Sequence, residues 1–519
     1  MRQLPGETDP APPLHGLALW TLIGGLMLGV YLVGLDMTLL ATVTPTLTDY
    51  FRTVSDVSWY ETAYVLMVCV FIPVAGKAYS VFPNKYVYLV SMVIFQIGSL
   101  ICALARSSGV FILGRTINGL GSTGLLSGAL LIIHTTCLRS IRPVVTSSAM
   151  ALISVGATTG PQIAGALTDH AGWRWCFWIF LPIGGATMLA TLFIRIPEQT
   201  KKLPFAKATV DIPRLLDPVG FAVFAGAIVM LILAITWGGS ESAWSSAIVI
   251  GLLCGSFGAA VAFACWIFRR GDAALVPASC LRHRSVSFGG GVMLLQGGCT
   301  QMISYYLPFW FQVVRGDTPT QSAVHILPSL LSNILALITF GALVRKFSYI
   351  PPWGIAGSML CTIGSGLLST INPKTSMARL VGYQIVTNIG RGMAFQVPVI
   401  AAQEEIPSKD SASALAVVNL LMSLGSSVGI SSGQTIFRNS LPPLLREYAP
   451  GVDPGSIVNA GATEIRDLVE PSQLDGLVVA YSEALVRMFY FPVACGVIAF
   501  FLSFGLGWSP VKKNETEKI

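Results

Sequence analysis

The sequence predicts an all-α polytopic membrane protein of fourteen transmembrane helices, arranged as two six-helix bundles with two accessory helices between them. Three observations predict it. The 519 residues are 53% hydrophobic and only 11% charged, against about 25% charged in soluble domains. Apolar segments long enough to cross a bilayer core, which takes about 20 residues per helix, recur from end to end. The short alternating pattern of a membrane barrel strand is absent.

The segments fall at about 18–45, 57–76, 86–105, 111–136, 144–167, 175–195, 216–237, 246–268, 286–311, 321–344, 353–371, 378–402, 411–436 and 484–507. Residues 1–17 are polar and proline-rich, with no basic start before a short apolar core. They form a cytosolic tail rather than a cleavable signal, and the first span acts as its own insertion signal. An even number of spans puts both termini on one side. With that side cytosolic, the inner segments hold about 20 Lys and Arg and the outer ones about 8. The first bundle then occupies 18–195 and the second 286–507. Cytosolic linkers and the two accessory spans fill 196–285; those spans hold no interior charge and read as packing elements. Residues 438–482 form a polar extracellular loop with several prolines, suited to short helices lying over the outer face. Residues 508–519 are a cytosolic tail. It carries the N-x-S/T sequon at Asn514, which should stay unmodified on that side.

Charges inside spans are costly and each is a functional candidate. Asp36, in "GLDMTLLATVTPTL", lies about midway along the first span, Arg115 opens "GRTINGLGSTGLLSG" in the fourth, and Arg391 lies in "NIGRGMAFQVPVIAAQ" in the twelfth. Glu61 is near the outer end of the second span, where it can reach water. A carboxylate in an apolar surround near a cation can switch protonation as access alternates, so Asp36 and Arg115 are the candidates for proton coupling, with a static ion pair as the alternative. Whether they touch is not legible from spacing. Asn118, Gln162, Gln296, Gln301, Tyr305, Arg391 and Gln396 are the polar and aromatic candidates for a substrate cavity. Amides beside aromatics in "LQGGCTQMISYYLPFWFQ" suit a large, partly apolar organic compound. Trp310 reads as an interfacial belt residue, and His134 and His325 as structural histidines.

Ten cysteines, most inside apolar runs and none in C-x-x-C spacing, read as small buried residues rather than a disulfide framework or metal site. There is no Walker A sequence, nucleophile elbow or H-E-x-x-H motif, so neither ATP hydrolysis nor another enzymatic activity is indicated, and no cofactor is called for. The net charge of +7 suits inner loops facing anionic lipid rather than nucleic acid.

"SVGATTGPQIAGALTDHAGWRWCFWIFLPIG" spaces Gly156, Gly160 and Gly165 for close helix contact around Pro161, which bends its helix. The whole string resembles the fifth-span antiporter signature of the major facilitator superfamily, with Ala164 in place of a glycine and Phe180 in place of an asparagine. "GLDMTLLATVTPTL" resembles the first-span motif of the superfamily's fourteen-span drug:proton antiporters, and "GRTINGLGSTG" the fourth-span motif whose arginine is associated with proton coupling. "GKAYSVFPNKYVYL" is similar to the gating loop after the second span, carried here by Gly76, Lys77 and Lys85. It is degenerate, with Ser80 at the usual acidic position and Pro83 at a glycine. "FPNKYVYLVSMVIFQIGSLICALA" and "WRWCFWIF" resemble fungal efflux pumps for toxins and secondary metabolites.

The resemblance covers nearly the whole chain and implies alternating access by rocking of two bundles about a midplane cavity, with the Gly/Pro helix sealing one path. It implies a secondary active exporter exchanging organic compounds (toxin, secondary metabolite or drug) for protons. Proton-coupled import of a siderophore or amino acid is the alternative. A receptor that no longer transports is a third reading, disfavoured by Arg115 and the Gly/Pro helix. The expected partners are a small organic substrate, protons and membrane lipid, with one chain able to work as a monomer. The plasma membrane is the expected location, with a vacuolar or vesicular membrane as the alternative.

Overall fold

A computed structural model describes residues 16–53, 56–138, 141–198, 217–239, 242–346, 349–404, 406, 410–459 and 469–507. The expectations for the first fifteen residues, most of the linker "RIPEQTKKLPFAKATVDIPR" and the tail with Asn514 lie outside the described residues. Every regular element described is helical: α1 Gly16–Phe51, α2 Val57–Val81, α3 Asn84–Leu104, α4 Ser108–Thr136, α5 Arg142–His170, α6 Trp175–Trp178 and α7 Phe180–Leu192, then α8 Pro218–Trp237, α9 Ala247–Arg270 and α10 Ala278–Arg282. The chain continues with α11 Arg284–Arg315, α12 Pro319–Lys346, α13 Pro351–Leu368, α14 Met377–Glu404, α15 Ser411–Tyr448, α16 Pro454–Asn459, α17 Leu474–Met488 and α18 Tyr490–Ser503.

Among the described residues, eleven helices are long and apolar enough to cross a membrane. Three more, α5, α11 and α13, pack among them. Their glycines, hydroxyls and amides dilute the apolar content, so length and composition alone do not reach the predicted fourteen. Small residues in these helices serve close packing against their neighbours.

The long helices pair in two sets with one pattern. In the first, α3 packs on α4, α1 on α5 and α7, and α2 on α4; in the second, α13 packs on α14, α11 on α15 and α18, and α12 on α14. The sets meet along two seams, α5 against α12 and α2 against α15. Close approach at the seams depends on glycine. A Cβ on Gly76 would lie 2.5 Å from Ala416 Cβ, and one on Gly341 would lie 2.4 Å from Ser147 Oγ. Both points lie toward the face where α1 begins. The side-chain hydrogen bonds that join the sets, Gln403 Nε2 to Leu130 O at 3.4 Å and Asn333 Nδ2 to Ser154 Oγ at 3.1 Å, lie between that face and mid-helix.

The accessory helices do more than fill space. α8 and α9 form a pair, and α8 packs on both α2 and α15. Asp217 caps α8 from a left-handed backbone conformation and is fully buried. Its carboxylate accepts from Gly220 N, Trp266 Nε1 and Leu275 N, and Arg270 lies 3.7 Å away. Next to it, Lys77 at the end of α2 donates to Asp272 O and Ala274 O. On the opposite face, Trp244 Nε1 donates to Thr435 Oγ1 and Arg438 Nη1 to Gly239 O, tying the turn after α8 to α15.

Two sequence expectations need correction. The polar loop predicted over 438–482 is shorter, because α15 continues to Tyr448 and α17 begins at Leu474. Pro442 and Pro443 do not stop the helix, since Leu441, Leu444 and Leu445 are buried in the adjoining core. The short helix α16 does lie in this loop. Trp310 is not a belt residue: it is fully buried, and its Nε1 donates to Ser482 Oγ at 3.0 Å.

Candidate functional site

The site is built on α1, α2 and α4. Glycines bring α4 against its neighbours: a Cβ on Gly119 would stand 2.5 Å from Tyr64 O of α2, and one on Gly98 of α3 would stand 2.4 Å from Asn118 N. Arg115, one helical turn before Gly119, therefore reaches α2, and its Nε donates to Tyr60 O at 3.1 Å. Its Nη1 makes an ion pair with Asp36 Oδ1 at 2.7 Å, and both side chains have 0% exposure. The two residues are 79 positions apart in sequence. The Nη2 lies 3.4 Å from Glu61 Oε2, whose side chain is 46% exposed. The guanidinium also stands over the Tyr64 ring, 4.4 Å from its centroid.

The arrangement is asymmetric around Asp36. Oδ1 is engaged by Arg115, whereas Oδ2 is buried without a partner among the described residues, as are the Tyr64 hydroxyl and Asn118 Nδ2. Tyr64 and Asn118 both face the Asp36 carboxylate. Asn118 is fixed from behind, its Oδ1 accepting from Ser99 Oγ at 3.1 Å. Chemically, this is a carboxylate with one oxygen held by a permanent cation and the other faced by a hydroxyl and an amide, with a second, half-exposed carboxylate at the edge.

The antiporter-motif helix lies directly behind. Gly156 and Gly160 press α5 onto α1, where Cβ atoms would stand 2.6 Å from Tyr31 O and 2.4 Å from Thr38 Oγ1. Pro161 cannot donate to the carbonyl of Ala157, one turn earlier. Thr38 supplies the missing donor, its hydroxyl bonding Ala157 O at 2.7 Å. Gly165 does not share this role: its nearest neighbour to an added Cβ is Thr42 Cγ2 at 3.9 Å, and Ala164 is the fully buried position.

In the gating loop, Gly76 makes the α2/α15 approach and Lys77 holds the 272–274 turn. Lys85 donates to the carbonyls of Leu192, the last residue of α7, and of Ile194 beyond it. The cavity candidates scatter. Gln296 and Gln396 are fully buried, and the Gln396 amide has no partner among the described residues. Cys361 Sγ approaches Gln296 Oε1 at 3.5 Å. Gln162 is exposed, Gln301 is half-buried, and Tyr305 is exposed beside Tyr306 and Phe309. Arg391 Nη1 lies 3.3 Å from Ser304 Oγ and 3.4 Å from Asn388 Oδ1. His325 is paired with Asp317 at 2.6 Å, in keeping with a structural role.

Sequence reasoning undervalued Glu61 and missed Tyr60 and Tyr64. The signal was present: in "WYETAYVL" a helical period puts all three on one face of α2.

The comparisons with known proteins agree with this architecture. The family model described as Major Facilitator Superfamily matches residues 26–430. The chain is 39% identical over 510 residues to the MFS-type transporter pigP of Monascus ruber, covering 98% of this chain and 90% of that one. It is 37% identical over 516 residues to the efflux pump mlcE of Penicillium citrinum, covering 98% and 93%. Among solved structures, the proton:xylose symporter XylE superimposes with a TM-score of 0.60 at 15% identity, covering 95% of this chain and 98% of that one; the likeness is one of fold. The chain belongs to the major facilitator superfamily and is a membrane transporter, not an enzyme.

Proposed function

We propose that the protein is a secondary active exporter that exchanges an organic compound, a secondary metabolite or a drug-like toxin, for protons. The observation that carries this reading is the fully buried Asp36–Arg115 pair with Glu61 at its solvent edge. A buried charge that only balanced its partner would be replaceable by apolar packing at little cost. A carboxylate with one oxygen outside the ion pair, a permanent cation and a half-exposed carboxylate beside it can instead take up and release a proton. Protonation of Asp36 cancels its attraction for Arg115 and loosens α1 from α4, next to the Gly/Pro helix that α1 packs against.

The names of relatives support export: mlcE is an efflux pump, and MFS1 of Trichophyton rubrum, 37% identical over 503 residues, is an MFS-type efflux pump. Fourteen spans follow from adding α5, α11 and α13 to the eleven apolar helices. Both termini are then cytosolic, by the excess of Lys and Arg on that side, and the plasma membrane is the working location. With the face where α1 begins in the cytosol, the seams are closed on the inside and Glu61 is wetted from the outside, an arrangement suited to loading protons before substrate release is complete.

Expression in yeast lacking its major efflux pumps, with accumulation of a varied toxin panel, tests the proposal. Wild type should lower accumulation of at least one compound, and an uncoupler or Arg115→Ala should reverse it. Accumulation that rises instead would indicate import, and export indifferent to the uncoupler would remove proton coupling.

A further inference from the structure

The two helix sets repeat one pairing order, so α14 holds in the second set the place that α4 holds in the first. Each carries an arginine directly after a glycine, Gly114-Arg115 and Gly390-Arg391. Both glycines are points of close approach to the preceding helix: a Cβ on Gly114 would meet Cys102 N at 2.9 Å, and one on Gly390 would meet Cys361 N at 2.2 Å.

The arginines differ in what neutralises them. Arg115 faces two carboxylates. Arg391 faces none among the described residues; its two hydrogen bonds, to the Ser304 hydroxyl and the Asn388 amide oxygen, are both long. The deficit is written into the sequence. α11, α12 and α13, which pack around this point, contain no Asp or Glu, and those of α14 and α15, Glu404 and Glu447, lie at helix ends. A cation at mid-helix without a counter-ion is costly inside a membrane protein. It is also reachable, because its neighbour Ser304 is exposed.

We infer, on the basis of the export reading, that Arg391 anchors the exported compound through an acidic group, a carboxylate or an enolate. The ligand supplies the negative charge that Asp36 supplies in the other half. Ser304 adds a hydroxyl to the acid, and Tyr305, the next residue along α11 and itself exposed, is available to an aromatic or apolar body. The guanidinium fork suits a planar, two-oxygen acid better than a single point charge. The substrate class is thus an amphiphilic organic anion rather than a neutral compound.

Equilibrium binding to the full-length protein in nanodiscs tests this, using a panel of aromatic carboxylates each paired with its methyl ester, at neutral pH and without a gradient. Wild type should bind at least one acid about ten-fold more tightly than its ester. Arg391→Gln should erase that preference while leaving ester affinity within about two-fold, and Arg391→Lys should retain part of it. Should Arg391→Gln fail to elute as a single species, Ser304→Asp gives the same reading, because an internal carboxylate competes for the guanidinium. A panel in which no acid outbinds its ester, or a preference that survives Arg391→Gln or Ser304→Asp, overturns the inference. Loss of uncoupler-sensitive export with the acid preference intact would overturn the export reading alone.

Discussion

Two arginines stand on corresponding helices of the two sets, Arg115 near the start of α4 and Arg391 midway along α14, and their settings differ in charge. Arg115 lies in a closed triad with a buried and a half-exposed carboxylate; among the described residues, Arg391 bonds only a hydroxyl and an amide. One backbone plan therefore carries two electrostatic tasks. A cation whose partner is built in can respond to a proton, and a cation whose partner is missing can respond to a ligand. The difference resides in a few side chains on α1, α2 and α11, while each arginine follows a glycine that meets the preceding helix.

The comparison can be broken most directly at Arg115. Arg115→Ala leaves Asp36 buried and alone, which should cost about 3–5 kcal/mol, abolish proton-driven export and lower the thermal midpoint in detergent. Wild-type export by this variant would remove the distinction between the halves. Arg391→Gln should behave oppositely in the same melting experiment, with no loss of stability, since it removes an uncompensated charge; a fall as large as that of Arg115→Ala would mean that Arg391 has an internal partner after all.

Packing should be symmetric where charge is not. Gly156→Val in α5 and Gly425→Val in α15 both force a side chain onto a neighbouring carbonyl, Tyr31 O at 2.6 Å and Leu294 O within van der Waals overlap. Each should destabilise by about 1–3 kcal/mol, read as a comparable drop in folded yield. Unequal effects would show that the halves differ in packing as well as charge. The smallest effect belongs to Glu61→Gln. Its pair with Arg115 is long and half-wet, worth about 0–1 kcal/mol, so stability should hold while the dependence of export on external pH shifts. An unchanged pH profile would place Glu61 outside the proton path.

The spans were legible because bilayer thickness imposes length and apolarity directly on sequence. Departures occur where tertiary packing overrides local signals. Pro442-Pro443 reads as a stop, yet buried leucines on either side carry α15 through it. Gly165 reads as part of the antiporter stripe, yet has room for a Cβ beside Thr42 while Ala164 is fully buried. The Asp36–Arg115 contact was beyond spacing, since it spans 79 residues and depends on Gly119 letting α4 approach Tyr64. The isolation of Arg391 required knowing which helices surround it; only then does the lack of acids in α11, α12 and α13 acquire meaning.

The accessory pair has a consequence for traffic in the plane of the membrane. α8 lies on both α2 and α15, tethered to Lys77 through the 272–275 turn on one face and to Thr435 and Arg438 on the other. Among the described residues no helix straddles α5 and α12 in the same way. An amphiphile dissolved in the bilayer thus meets a shuttered flank on one side and an uncovered one on the other. The molecule has a left and a right as well as an inside and an outside: one seam is covered by a third helix and the other is not.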